Sequence, residues 1–290
     1  MKNGRGERCA VRGMERREFM AMMAGIGVAA AFPRAPRTAY RSRLDRIGLQ
    51  LYTIRGEMRR DFEGTLARVA EIGYQEVEFA GYFNHAPSAV RALLDRNGLT
   101  APATHVGSIE PDAWRASLEA SRVIGHRYIV VPWIPEERRR TLDDYRRVAE
   151  DFNRVAAEAK SAGLQFAYHN HDFEFTPLEG RIPFDVLLEH TDPALVQIEL
   201  DLYWITKGGQ DPLSYFARWP GRITLVHVKD SGGAPAHPQV AVGAGTIDFR
   251  RIFSHHEQAG IRHYFVEHDE PADPFAFLRK SYEYLRRLEF

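Results

Sequence analysis

This chain is almost without cysteine. Its single thiol, Cys9, stands in a basic lead of forty residues, and the rest of the chain has none. A disulfide framework and a thiol nucleophile are therefore excluded. Net charge is missing as well, since 39 basic residues balance 39 acidic ones. The balance hides an asymmetry. Residues 1–40 hold eight basic against three acidic residues, which leaves 31 against 36 in the remainder. An acidic body argues against a nucleic-acid surface. No apolar run reaches the roughly twenty residues that a stable membrane span needs. No Gly-rich phosphate loop follows the first apolar segment, Ile47–Tyr52, which argues against an open dinucleotide-binding sheet.

The lead has a layout of its own. Arg16-Arg17-Glu18-Phe19-Met20 precedes the short apolar run Ala21–Phe32. A charged segment before a short apolar one is the pattern of a secretory signal. The paired arginines followed by Phe resemble a twin-arginine export signal. Residues 1–40 are therefore expected to be an export signal and flexible lead. The protein is expected outside the cytoplasm, periplasmic or extracellular.

From residue 41 onward the chain reads as one domain of alternating strands and helices. The expected strands are Ile47–Tyr52, Gln75–Phe79, Ala101–His105, Arg127–Val131, Gln165–Asn170, Val196–Leu202, Ile223–Val228 and Tyr264–Glu267. Helical spacing fills the intervals, and Gly73, Gly98, Gly125, Gly163 and Gly260 stand where helices stop. Strict alternation implies a parallel sheet. Eight units in about 245 residues predict an α/β fold of the (β/α)8 TIM-barrel type.

In such a barrel the site lies at the carboxyl ends of the strands. Those ends are rich in ionisable groups. Glu78 closes strand two, His105 strand three, and Trp133 follows strand four. Strand five leads into His169, His171 and Glu174; strand six into Glu199, Asp201 and Trp204. His227, Lys229 and Asp230 end strand seven, and Glu267 and Asp269 end strand eight. Side chains alternate along a strand, so His169 and His171 share a face. Asp201, His227 and Glu267 sit within apolar strands, where an unpartnered charge is costly. The pattern points to one metal site at the rim. Asp230 and Asp269 also read as simple caps, and Glu174 as a solvated loop residue.

Leu200-Asp201, His227-Val-Lys-Asp230 and Val266-Glu267 carry a resemblance to the xylose isomerase-like barrel superfamily, often called sugar phosphate isomerases/epimerases. That superfamily includes D-tagatose 3-epimerase-like enzymes, inosose dehydratases and endonuclease IV. The resemblance implies one metal held by strands five to eight, on His169, Asp201, His227 and Glu267. Where the epimerases have Glu followed by Asn, this chain has His169-Asn170-His171. The epimerase Glu is one of two proton-handling carboxylates, so its replacement changes the proton-transfer assignment and looks closer to the inosose dehydratase branch.

Two imidazoles and two carboxylates suit Mn²⁺, Co²⁺, Fe²⁺ or Zn²⁺; Mg²⁺ fits less well. The expected enzyme is a metal-dependent isomerase or epimerase. It would abstract an α-proton through Glu267 and stabilise the enediolate at the metal. His171, His105, Glu174 or Lys229 would supply the second acid or base. Tyr52, Glu78, Trp133 and Trp204 would contact the substrate. The alternative is a carbon–oxygen lyase or hydratase on the same site, resembling inosose dehydratase or eliminating from a 3-keto-glycoside. Export and the missing phosphate loop point to an unphosphorylated sugar or glycoside. The expected partner is that small carbohydrate, with no nucleic acid, no stable membrane span and a homo-oligomer as an open option.

Overall fold

Each strand carries its apolar residues in a run buried on both faces, and each run is short enough for one turn of a barrel. In the computed structural model, which describes residue 1 and residues 42–290, eight parallel strands close on one another. They are β1 Gly48–Gln50, β2 Glu76–Phe79, β3 Thr100–His105, β4 Tyr128–Val131, β5 Gln165–His169, β6 Val196–Asp201 and β7 Ile223–Val228. A hairpin of β8 Asp230–Ser231 and β9 Gln239–Val240 follows, and β10 His263–Val266 closes the barrel against β1. The (β/α)8 expectation holds. The expected export signal lies outside the described residues, apart from Met1.

The helices are α1 Arg55–Arg60, α2 Phe62–Ile72, α3 Pro87–Arg96, α4 Pro111–Ile124, α5 Leu142–Ser161 and α6 Pro183–His190. After these come α7 Leu202–Lys207, α8 Pro212–Arg218, α9 Phe249–Phe253, α10 His256–Ala259 and α11 Pro274–Leu285. No described helix is long and apolar enough to cross a membrane. The structure departs from strict alternation at three places. After β1 the chain passes through a 3-10 turn, Leu51–Ile54, into α1; α7 starts directly after β6; and the loop after β7 contains the hairpin. Asp201 explains the second departure. It ends β6 and its Oδ1 also accepts from Tyr203 N and Trp204 N, which starts α7 at once. Asp230 explains the third. Its carboxylate accepts from the backbone N–H groups of Ser231, Gly243, Gly245 and Ile247, which folds residues 231–247 onto the rim.

The barrel interior is layered. Ala103, Tyr128, Val130, Ala167, Leu225 and Phe265 form an apolar plug, separate from the core between strands and helices. Gly48 leaves room for it, because a Cβ there would lie 2.5 Å from the Phe265 ring. Stepping two residues toward the carboxyl ends keeps the same inward face. From Ala103 that step reaches His105, from Ala167 His169, from Leu225 His227 and from Phe265 Glu267. A ring of ionisable groups therefore rests on a dry plug.

Candidate metal centre

Strand register sets the ring's neighbours. His169 pairs with Glu199 across β5 and β6, and Asp201 pairs with His227 across β6 and β7. His169, Glu199, Asp201, His227 and Glu267 are all at most 5% exposed. One ligand atom each from His169, Asp201, His227 and Glu267 falls within 4.8 Å of the others. These are the four residues expected to hold the metal. Their donor set, two imidazoles and two carboxylates, fits a divalent cation. Asp201 supports the fit. Its Oδ1 is spent on capping α7, while its Oδ2 makes no hydrogen bond. That Oδ2 faces Lys229 Nζ at 3.2 Å, His227 Nδ1 at 3.9 Å and His169 Nε2 at 4.0 Å.

The charges in the ring are strongly coupled. Burial pushes the Asp201 carboxyl up to about 6, against the pull of Lys229 and His227. Burial works against charge on His227 too. Glu199 and Glu267 outweigh it and hold the imidazole well above its ordinary value. Glu267 resists burial in the same way, kept charged by Lys229 and His227. Its Oε2 lies 2.6 Å from His227 Nδ1 and 2.9 Å from Lys229 Nζ. His169 is pushed well below the usual histidine range by burial and by the neighbouring His227, so it stays neutral. Neutral imidazole is the form that binds a metal.

Above the ring opens a cavity of about 710 Å³, lined by Tyr52, His105, Trp133, His169, His171, Lys229 and Glu267 among others. His171 is pushed down to about 3 by burial and by Lys229. His105 goes the other way. Burial opposes its charge, yet Glu78 and Glu199 raise it above its ordinary value. Trp133 and Tyr52 are exposed at the mouth, each with a guanidinium over its ring, Arg139 at 4.8 Å and Arg55 at 4.0 Å.

Three expected site residues are placed elsewhere. Glu174 does not face the cavity. It is fully buried, accepting from the Tyr168 hydroxyl and, at 2.9 Å, from the His171 backbone N–H. The turn Phe173–Phe175 directs it back against β5, where burial pushes it up to about 7. Glu78 also does not line the cavity. It lies beneath the ring, where its Oε2 accepts from Gln50 at 2.8 Å and sits 2.7 Å from His227 Nε2. Trp204 stands one layer back, its ring packed on His171 with centroids 5.5 Å apart. Conversely, the sequence marks Glu199 only as an acid of strand six, whereas the structure places it against His105, His169 and His227. Asn170 was unassigned, and its Oδ1 accepts from the Asp201 backbone N–H.

The sequence profile of the xylose isomerase-like TIM barrel matches residues 66–288. The chain belongs to this family. Among relatives of this barrel, an inosose dehydratase from Geobacillus kaustophilus is 26% identical over 266 residues, covering 77% of this chain and 86% of that one. A sugar phosphate isomerase/epimerase from Parabacteroides distasonis superposes with a TM-score of 0.75 at 27% identity, over 84% of this chain and 95% of that one. The IOLI protein, solved with a bound zinc atom, shares the fold at 13% identity and a TM-score of 0.66, over 82% of this chain and 95% of that one. Members of the family are enzymes, and the relatives include both isomerases and dehydratases.

Proposed function

We propose that this chain is a divalent-metal-dependent carbon–oxygen lyase. It takes a proton from the carbon beside a carbonyl in an unphosphorylated keto-sugar, keto-inositol or keto-glycoside and expels the oxygen group from the next carbon. One observation carries the reading: two imidazoles line one cavity and are biased in opposite directions, His171 toward the neutral form by burial and Lys229, and His105, against burial, toward the charged form by Glu78 and Glu199. An elimination needs one base and one acid, both in place before the reaction starts.

His169, Asp201, His227 and Glu267 would hold a divalent cation, which would supply Lewis-acid polarisation of the substrate carbonyl. His171 accepts the α-proton. The carbon–carbon double bond forms as the bond to the leaving oxygen breaks, and His105 gives that oxygen its proton. Glu267 is the other candidate base. Both groups are held below their ordinary proton affinity, but Glu267 Oε2 is already engaged by His227 Nδ1 and Lys229 Nζ, which suits it to hold the metal, whereas His171 Nδ1 has no partner. Tyr52 and Trp133 flank the mouth and suit the apolar face of a sugar ring. The inosose dehydratase relative supports elimination. His169 does too, standing where the epimerases it resembles use their second carboxylate. Isomerisation ranks second, since it begins with the same proton abstraction.

The test is product analysis on metal-loaded enzyme with a keto-inositol and a 3-keto-glycoside. An unsaturated product that has lost water or an alcohol supports the lyase. A product isomeric with the substrate, carrying solvent deuterium on the α-carbon when the reaction is run in D₂O, would assign an isomerase instead. Export is part of the proposal, checked by fractionating cells that express the full chain and its Arg16→Lys, Arg17→Lys double variant.

A further inference from the structure

Glu199 does not line the cavity, yet it lies at the centre of the ring. It stands two residues before Asp201 on β6, on the same inward face and one layer deeper. It is 0% exposed, and its Oε1 makes no hydrogen bond. Its Oε2 meets all three imidazoles of the ring: His105 Nε2 at 2.7 Å, His227 Nε2 at 3.2 Å and His169 Nδ1 at 3.3 Å. A carboxylate buried this deep costs several kcal/mol unless its surroundings use the charge.

The nitrogens it meets are informative. For His169 and His227 they are the ones turned away from Asp201. His169 presents Nε2 to Asp201 and Nδ1 to Glu199; His227 presents Nδ1 to Asp201 and Nε2 to Glu199. A neutral imidazole has one N–H and one lone pair. A carboxylate behind the ring favours the N–H on that side and leaves the lone pair on the front nitrogen; Glu199 approaches His169 Nδ1 without a formed hydrogen bond, and behind His227 the hydrogen bond goes to Glu78 Oε2 at 2.7 Å. Such partners fix both the tautomer and the orientation of histidine ligands.

His105, His169, Glu199 and His227 also form a ligand-like group of their own. A cation there would need the rear nitrogens of His169 and His227. Occupying both groups at once would strip both rings of their N–H protons. Each group reaches the cavity through two members, His169 and Glu267 at the front and His105 and His169 at the rear, but only the front group has two carboxylates to balance a divalent cation.

We infer that Glu199 is a positioning residue, a carboxylate behind the ring that aims His169 Nε2 at the metal position and shares with Glu78 the aiming of His227 Nδ1. The inference rests on the metal reading above but fails separately from it. Metal-free wild type, Glu199→Gln and Glu199→Asp are titrated with Zn²⁺ against a chromophoric chelator, and the metal-free proteins are melted. Wild type and Glu199→Gln should each bind one cation, the variant 10- to 100-fold more weakly. Glu199→Asp should recover part of the loss. The metal-free melting temperature of Glu199→Gln should fall, because His105 and His227 lose a buried charged partner, and Glu199→Asp, which keeps the charge, should restore much of it. Wild-type affinity in Glu199→Gln would sink this inference and leave the metal reading standing. Affinity that tracks the metal-free melting temperature across wild type, Glu199→Asp and Glu199→Gln would make Glu199 merely structural. Two cations in wild type and one in Glu199→Gln would make it a ligand. No cation in wild type would remove both readings.

Discussion

Glu76 and Glu78 stand two residues apart on β2, on the same inward face, and both are buried. Glu76 belongs to the floor of the barrel. Its Oε2 lies 2.7 Å from His263 Nδ1, whose Nε2 accepts from Arg127 at 2.9 Å, and Arg46 reaches its other oxygen at 3.7 Å. Each floor group has a partner at the solvent edge. Glu78, above the apolar plug, has its Oε1 unsatisfied. Burial and the nearby Glu199 push it up to about 7, against the pull of His105 and His227. The cavities differ in the same sense. The floor cavity is the larger, about 790 Å³ against about 710 Å³, but its lining is dominated by solvent-edge arginines such as Arg46, Arg127 and Arg262. Size therefore does not mark the site. Convergence of buried donors with open valences does, and it occurs only above the plug among the described residues.

Mutations can break this contrast. Asp201→Ala or Glu267→Ala should remove the metal and lower kcat/KM by roughly 10³-fold or more, the scale of lost electrostatic stabilisation; metal content measured beside turnover checks it. His171→Ala should retain the metal and still lose roughly 10²- to 10⁴-fold in kcat, as expected for a missing base. A variant that loses both together would return the base to Glu267. On the floor, His263→Ala should leave kcat unchanged while costing about 1–3 kcal/mol in denaturant unfolding, because Glu76 loses its hydrogen bond. A large fall in kcat with intact stability would erase the distinction between the two ends.

His126 gives a smaller, pH-dependent effect. Its Nδ1–H donates to Ala101 O at 2.6 Å and its Nε2 accepts from the Tyr82 hydroxyl at 3.0 Å, so the folded ring is neutral. Burial pushes it from 6.5 down to about 4. The unfolded chain binds a proton below about 6.5 that the folded chain refuses until about 4. Stability should fall as pH drops through that window, by roughly 3 kcal/mol at its lower end. His126→Gln should flatten that part of the curve in unfolding titrations. The smallest effect is expected at the mouth, where Trp133→Ala should raise KM roughly tenfold through lost aromatic contact, with kcat little changed.

Much of this architecture was legible in the sequence because burial writes itself into pattern. Apolar runs ending in Asp201, His227 and Glu267 gave both the strands and the group that converges in the structure. The rest depended on depth and direction. Glu199 and Asp201 share a face by alternation, but nothing in one strand says that the deeper residue would touch imidazoles from three others. Glu174 follows His171 by three residues, and only the intervening turn directs it to Tyr168 instead of the cavity. Helix α7 was hidden because one residue, Asp201, both ends a strand and caps a helix. Asp230 read as a local cap, whereas its partners lie up to seventeen residues away in the chain.

The most direct measurement is the metal content of purified wild-type protein, Asp201→Ala and His171→Ala after loading with Zn²⁺ or Mn²⁺ and desalting. The account predicts one divalent cation per chain in wild type and in His171→Ala, and none in Asp201→Ala. Equal metal in all three proteins, or none in wild type, would contradict it.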